Sequence, residues 1–157
     1  MKGKATLLGH PIHPMVIVLP LGLLPASVIS DVIYFITGRG FWGEMGFWLA
    51  AGGILGGLLA AVFGTIDWLA IPPHTRAKRI GTMHALLNVV VIGVFVVSWS
   101  IRRGDVSHPP AIATILGALA LVIAAVSAWF GGELIYRLSI GVDPGANPDA
   151  SSSLRSE

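Results

Sequence analysis

Four long apolar runs, separated by short polar punctuation, organise the chain. The first runs from about Met15 to Thr37 and the second from about Gly46 to Ile71. The third runs from about Thr82 to Ile101 and the fourth from about Ala111 to Tyr136. Each reaches the ~20 apolar residues a helix needs to cross a bilayer core. The connections carry turn signals: Gly38-Arg39-Gly40, Pro72-Pro73, Arg103-Gly104-Asp105 and Pro109-Pro110. This spacing predicts an all-α, four-helix transmembrane bundle of up-down-up-down topology. The membrane domain is expected over residues 1–142. Residues 143–157, rich in Pro, Asn, Ser and Asp, read as a disordered tail. The first span reads as retained rather than cleaved. Pro20 and Pro25 interrupt its apolar run, which continues past Asp31 and is long for a signal core.

Composition strengthens the membrane reading. Of 157 residues only 11% are charged and 54% are hydrophobic, against about 25% charged in a soluble domain. So few charges cannot coat a water-exposed globule, and mean hydropathy is correspondingly high at +0.80. A net charge of +2 gives no nucleic-acid signal. The absence of cysteine excludes disulfides, thiolate zinc sites and cysteine-ligated iron–sulfur clusters. Lys2, Lys4, Arg76, Lys78, Arg79, Arg137 and Arg155 fall on one side of the spans, and Arg39, Arg102 and Arg103 on the other. The positive-inside rule then places both termini and the middle loop in the cytoplasm. Trp42, Phe47, Trp48, Trp68, Trp99 and Tyr136 stand near span ends, as interfacial aromatics do.

Candidate chemistry lies in the polar residues the spans contain. An ionisable group at the bilayer centre costs roughly 2.5–3.5 kcal/mol on insertion scales, so each needs a reason. The candidates are His13, Asp31, Asp67, His84 and Glu133, with His10 just outside the first span. Asp67 follows a small-residue stripe of Gly53, Gly57, Ala60 and Gly64, which points it into the bundle. It is either satisfied by a neighbouring hydroxyl, amide or helix N-terminus, or serves as proton acceptor, ion ligand or histidine orienter. His84 shares a helix face with Asn88 at i+4. In Gly9-His10-Pro11-Ile12-His13-Pro14, Pro14 predicts that His13 sits outside helical geometry, as an N-cap-like residue at the membrane surface. Asp31 belongs to the opposite side, roughly 27 Å from His13 along a helix, within reach of Arg39, Arg102 or Arg103. Glu133 precedes Arg137 by four residues, which predicts an interfacial ion pair. The alternative is that Gly131-Gly132 unwinds the helix and turns Glu133 inward.

The two hairpins also resemble each other in layout. His13 with Asp67, and His84 with Glu133, occupy an entrance and an exit, with Ala60-Ala61-Val62 and Ala124-Ala125-Val126 before the exits. A parallel repeat of this kind predicts His13 and His84 at matching depths on different helices. Two such histidines are what a six-coordinate haem b requires.

The motifs GHPIHP (Gly9–Pro14), Ser30-Asp31, GTIDWL (Gly64–Leu69), GTMHALLN (Gly81–Asn88) and WFGGELIY (Trp129–Tyr136) together resemble the bacterial integral-membrane family known as domain of unknown function 2231. The resemblance extends to about Val142. It implies a multi-pass protein of the bacterial cytoplasmic membrane. Some members of that family are joined to a Rieske-type iron–sulfur domain, which implies redox company.

Three functional readings follow. One is a haem-binding or electron-transfer subunit, with His13 and His84 as axial ligands and Asp67 and Asn88 supporting them. The second is a protein handling protons or a transition metal ion, with His10, His13, His84 and Asp67 as an N/O site. The third is a structural or oligomerising subunit whose polar cluster fixes helix register. No GxSxG, P-loop or HExxH occurs, so no stand-alone enzyme is expected. The expected partners are the bilayer, a second copy or a redox protein, and not nucleic acid.

Overall fold

A computed structural model describes residue 1 and residues 3–154. Lys2 and Arg155, which entered the charge asymmetry, and the last two residues of the tail lie outside the described residues. Residues Thr6–Leu7 (β1) and His10–Pro11 (β2) form a short antiparallel hairpin, with Thr6 opposite Pro11 and Leu7 opposite His10. Five helices follow: α1 (Ile12–Val16), α2 (Val18–Thr37), α3 (Gly40–Leu69), α4 (Arg76–Ile101) and α5 (Ala111–Gly132). A π-helical turn, Glu133–Arg137, continues α5. Together α1 and α2 make one span, so among the described residues four segments are long and apolar enough to cross a membrane.

Local chemistry explains the boundaries. Pro20 has no N–H to offer the Val16 carbonyl, and the chain breaks between α1 and α2 at Ile17. Gly38 ends α2 at φ +67, where its N–H bonds the Tyr34 carbonyl at 2.8 Å. Thr75 caps α4 by accepting the Lys78 N–H at 3.1 Å. Before α5, the Asp105 carboxylate accepts the backbone N–H groups of Ser107 and His108. Two helices start earlier than their apolar runs, at Gly40 and Arg76. Helical hydrogen bonding does not require hydrocarbon, so these helices extend past the expected membrane boundary.

The helices pack as a ring in which α2 meets α3, α3 meets α4, α4 meets α5 and α5 returns to α2. This is the up-down-up-down bundle, with α2 and α4 on one diagonal and α3 and α5 on the other. Leu24, Ile54, Val91, Phe95 and Ala120 form the central core. Most other large apolar side chains face outward, as lipid-facing residues do. Phe47 does not follow the interfacial expectation. It is buried and stacks on Trp99 with ring centres 5.1 Å apart.

The repeat is visible in the buried positions. Leu24 and Phe95, Ser27 and Ser98, and Asp31 and Arg102 are each 71 positions apart, and all six are buried. On the other two helices the offset is 67. Gly46 and Ala113, Ala50 and Gly117, Gly53 and Ala120, and Ala60 and Ser127 are all buried. The Ala60-Ala61-Val62 register is thus corrected by one helical turn. Its structural counterpart begins at Ser127, not at Ala124.

Small residues allow the close approach within a hairpin. A Cβ on Gly53 would stand 2.4 Å from Leu24 Cδ2 and 3.2 Å from the Leu24 backbone nitrogen. A Cβ on Gly93 would meet nothing within 4 Å. Gly53→Ala is therefore expected to destabilise the protein by about 1–3 kcal/mol. Gly93→Ala is expected to be neutral or stabilising, since a helical glycine costs roughly 0.5–1 kcal/mol relative to alanine. Thermal melts in detergent, followed by circular dichroism, check the pair. Equal melting temperatures for the two variants contradict the packing argument.

Candidate functional site

Two polar clusters sit at opposite ends of the bundle, each between the α1–α2 span and α4. The first lies at the end that carries both termini. His13 is helical, inside α1, with Pro11 as the N-cap and Pro14 in the first turn. This corrects the expectation of a non-helical His13. Pro14 falls where a helix has no use for its missing N–H. His13 Nδ1–H donates to the Ala60 carbonyl of α3 at 2.9 Å. His84 Nδ1–H donates to the Ser127 carbonyl of α5 at 2.9 Å. The two rings stand 6.5 Å apart between centres, at 89° to each other.

One local device makes both contacts. A helical side chain covers the turn before it, so residue i+4 shields the carbonyl of residue i. Four residues after Ala60 and Ser127 stand Gly64 and Gly131. A Cβ on Gly64 would lie 3.0 Å from the His13 ring, and one on Gly131 would lie 3.3 Å from His84 Cε1. Glycine leaves each carbonyl's second lone pair open to an imidazole. Around His84 the network is denser. The Asn88 amide donates to the His84 carbonyl at 2.9 Å and to Nε2 at 3.2 Å, and Ser127 Oγ–H donates to the same carbonyl at 3.2 Å.

Asp67 and His10 are not part of this pair. The Asp67 carboxylate accepts the backbone N–H of Lys4 at 2.7 Å and of Ala5 at 3.2 Å. It fixes the segment that leads into β1 and orients no histidine. His10 is exposed and donates through Nδ1 to the Leu8 carbonyl at 3.2 Å. Among the described residues, no group of three or more His, Cys, Asp or Glu is placed to hold a metal ion. The four-residue N/O site expected from His10, His13, His84 and Asp67 is therefore not assembled, because β2 and the Asp67 contacts hold two members apart. Glu133 pairs with Arg76 at 2.6 Å rather than with Arg137. The π-helical turn after Gly131-Gly132 alters the i,i+4 geometry on which the local pair depended. Asp67 and Glu133 play matching parts all the same, since each holds the chain entering its own hairpin.

The second cluster lies at the far end. Asp31, 1% exposed, meets Arg102, 2% exposed, in a two-pronged ion pair. The Nη1–Oδ1 bond is 3.0 Å, and Nη2 bonds Oδ2. Thr114 Oγ1–H adds a bond to Oδ2 at 3.1 Å. Gly46 makes room, since a Cβ there would lie 2.3 Å from Asp31 Oδ1. Of the three arginines within reach, the fold selects Arg102. The 71-position offset from His13 to His84, applied to Asp31, lands on that residue. Ala60, Ser127 and Thr114 carried no such signal, because backbone carbonyls have no residue code and an isolated threonine is common in a membrane helix.

Equivalent positions predict an exchangeable pair. Arg102→Leu alone leaves Asp31 buried and unpaired, at an expected cost of about 3–5 kcal/mol. Asp31→Arg combined with Arg102→Asp is expected to recover part of that loss. Unfolding in detergent measures both. A double exchange no more stable than either single change contradicts the equivalence.

Comparison with known proteins adds the family. No curated protein and no solved structure matches the chain significantly. The profile of a family described as predicted membrane protein (DUF2231) matches residues 9–144, nearly the whole four-span unit. With four membrane-length helices over that region, the chain belongs to the DUF2231 family of membrane proteins.

Proposed function

We propose that the protein is a small haem-binding or electron-transfer subunit of the bacterial cytoplasmic membrane, with His13 and His84 as the ligand pair. The supporting observation is the pair itself, held through Nδ1 by two backbone carbonyls. An imidazole anchored at Nδ1 keeps its Nε2 lone pair for a metal, and such an anchor fixes both tautomer and ring orientation. A metal held by both rings would be bound through their Nε2 atoms, at metal–nitrogen lengths near 2.0–2.1 Å. The rings here are 6.5 Å apart.

Two protein ligands are too few for an ordinary metal-ion site but suffice for a porphyrin, which brings its own four nitrogens. When bound, haem supplies one-electron exchange between ferric and ferrous iron. The chain's own residues then have separate tasks. Ala60 and Ser127 aim the rings and Gly64 and Gly131 leave them space. His84 Nε2, which accepts from Asn88 at 3.2 Å, would hold the group only if that bond were given up, and Asn88 could then keep its bond to the His84 carbonyl. In this reading the termini face the cytoplasm, since Lys4, Arg76, Lys78, Arg79 and Arg137 share that end.

Absorption spectroscopy tests the proposal. Protein purified from haem-replete cells is expected to show a Soret band. His13→Ala and His84→Ala should each reduce haem content by more than about tenfold. Asp67→Asn should keep the haem. A colourless wild-type protein sinks the reading. A second reading is favoured by the hydrogen bonds that both histidines already make to helix carbonyls. Under it the cluster only fixes helix register. His84→Ala would then lower the melting temperature of a protein that was colourless and metal-free from the start.

A further inference from the structure

The loop between α3 and α4 brings a basic cluster to the start of α4: His74, Arg76, Lys78 and Arg79. Their surroundings differ. Arg76 is paired with Glu133. Lys78 Nζ donates to the Trp68 carbonyl at 2.7 Å and lies 3.6 Å from the centre of the Trp68 ring. An ammonium has three N–H donors, so two remain. Arg79 is exposed, and its guanidinium carries five donors. His74 takes a left-handed backbone at φ +63, which turns the chain into α4.

A groove of about 800 Å³ opens here, lined by His74, Thr75, Lys78, Arg79, Thr82 and Met83. It contains no carboxylate. Its polar wall is cationic and stands over the first turns of a 26-residue helix, where backbone N–H groups also favour anions. Its other end is apolar. Met83 is exposed, and Leu86 and Val90 continue the same face of α4 toward the bundle's middle, also exposed. Cations above and an uninterrupted hydrocarbon strip below describe an amphiphile lying along the helix. A free phosphate would use only the upper half.

We infer that this groove binds one anionic phospholipid, with its phosphate between Lys78 and Arg79 and an acyl chain along Met83, Leu86 and Val90. Lysine and arginine near a membrane surface each favour anionic lipid, and clustered cations at a span's entrance are suited to retain it. The Arg76–Glu133 and Lys78–Trp68 contacts hold the groove's walls by joining α4 to the end of α5 and the end of α3. The inference is independent of any cofactor at His13 and His84.

Native mass spectrometry on detergent-solubilised protein offered equal amounts of phosphatidylglycerol and phosphatidylcholine tests it. Phosphatidylglycerol should be retained preferentially. Arg79→Gln, and separately Lys78→Gln, should each weaken that preference about fivefold. Arg103→Gln, at the opposite end, should leave it unchanged. An excess of inorganic phosphate should not displace the lipid. Equal retention of the two lipids by the wild type overturns the inference without reference to any variant. So does displacement by phosphate, which would mark an ion site, and so does an undiminished preference in folded Arg79→Gln.

Discussion

A polar group placed among hydrocarbon must find its partner inside the protein, and the bundle is arranged around that demand. At the far end it produces the Asp31–Arg102 pair with Thr114. At the other end it produces two histidines bonded to helix carbonyls. In water either cluster would be optional, because solvent would satisfy the same groups. In a bilayer each ties together helices that would otherwise be held only by contacts of kinds lipid also supplies. The Asp31–Arg102 pair joins the two hairpins, whereas each histidine bond joins the helices of a single hairpin, His13 to Ala60 and His84 to Ser127, and the two rings meet between them.

Glycine makes these bonds geometrically possible. Gly64 and Gly131 uncover a carbonyl that is already bonded within its own helix, and an imidazole takes the remaining lone pair. Gly46 admits the Asp31 carboxylate, and Gly53 admits Leu24. The small residues of α3 and α5 therefore serve particular contacts and not a general looseness of packing. Their positions repeat with an offset of 67, whereas those of α2 and α4 repeat with an offset of 71. At equivalent positions of the two halves like residues stand where they suit each other, as with His13 and His84, and opposite charges stand where like residues would repel, as with Asp31 and Arg102. Two aspartates or two arginines at the latter positions would bury like charges in contact.

Much of the architecture was legible in the chain. The apolar run lengths marked four spans, and the insertion cost of charge singled out His13, Asp31, Asp67, His84 and Glu133 as requiring partners. The family resemblance agreed with the profile match. Partner identity was harder to read. The i,i+4 rule paired Glu133 with Arg137, and only the π-helical turn after Gly131-Gly132 shows why Arg76 takes that place. Span-end position grouped Phe47 with interfacial aromatics, whereas the rotation of α3 turns it onto Trp99. Spacing grouped His10 with His13, although a strand residue and a helix residue three apart need not face the same way.

The sequence by itself determined the class of solvent, the number of spans and the small set of polar residues that could not remain unpaired. These are properties of composition along one dimension, and they follow from transfer costs assigned residue by residue. The tertiary structure alone decided which partner each polar residue takes. That choice depends on helix rotation and on carbonyls that glycine leaves uncovered. Neither is encoded at the position of the histidine or carboxylate itself.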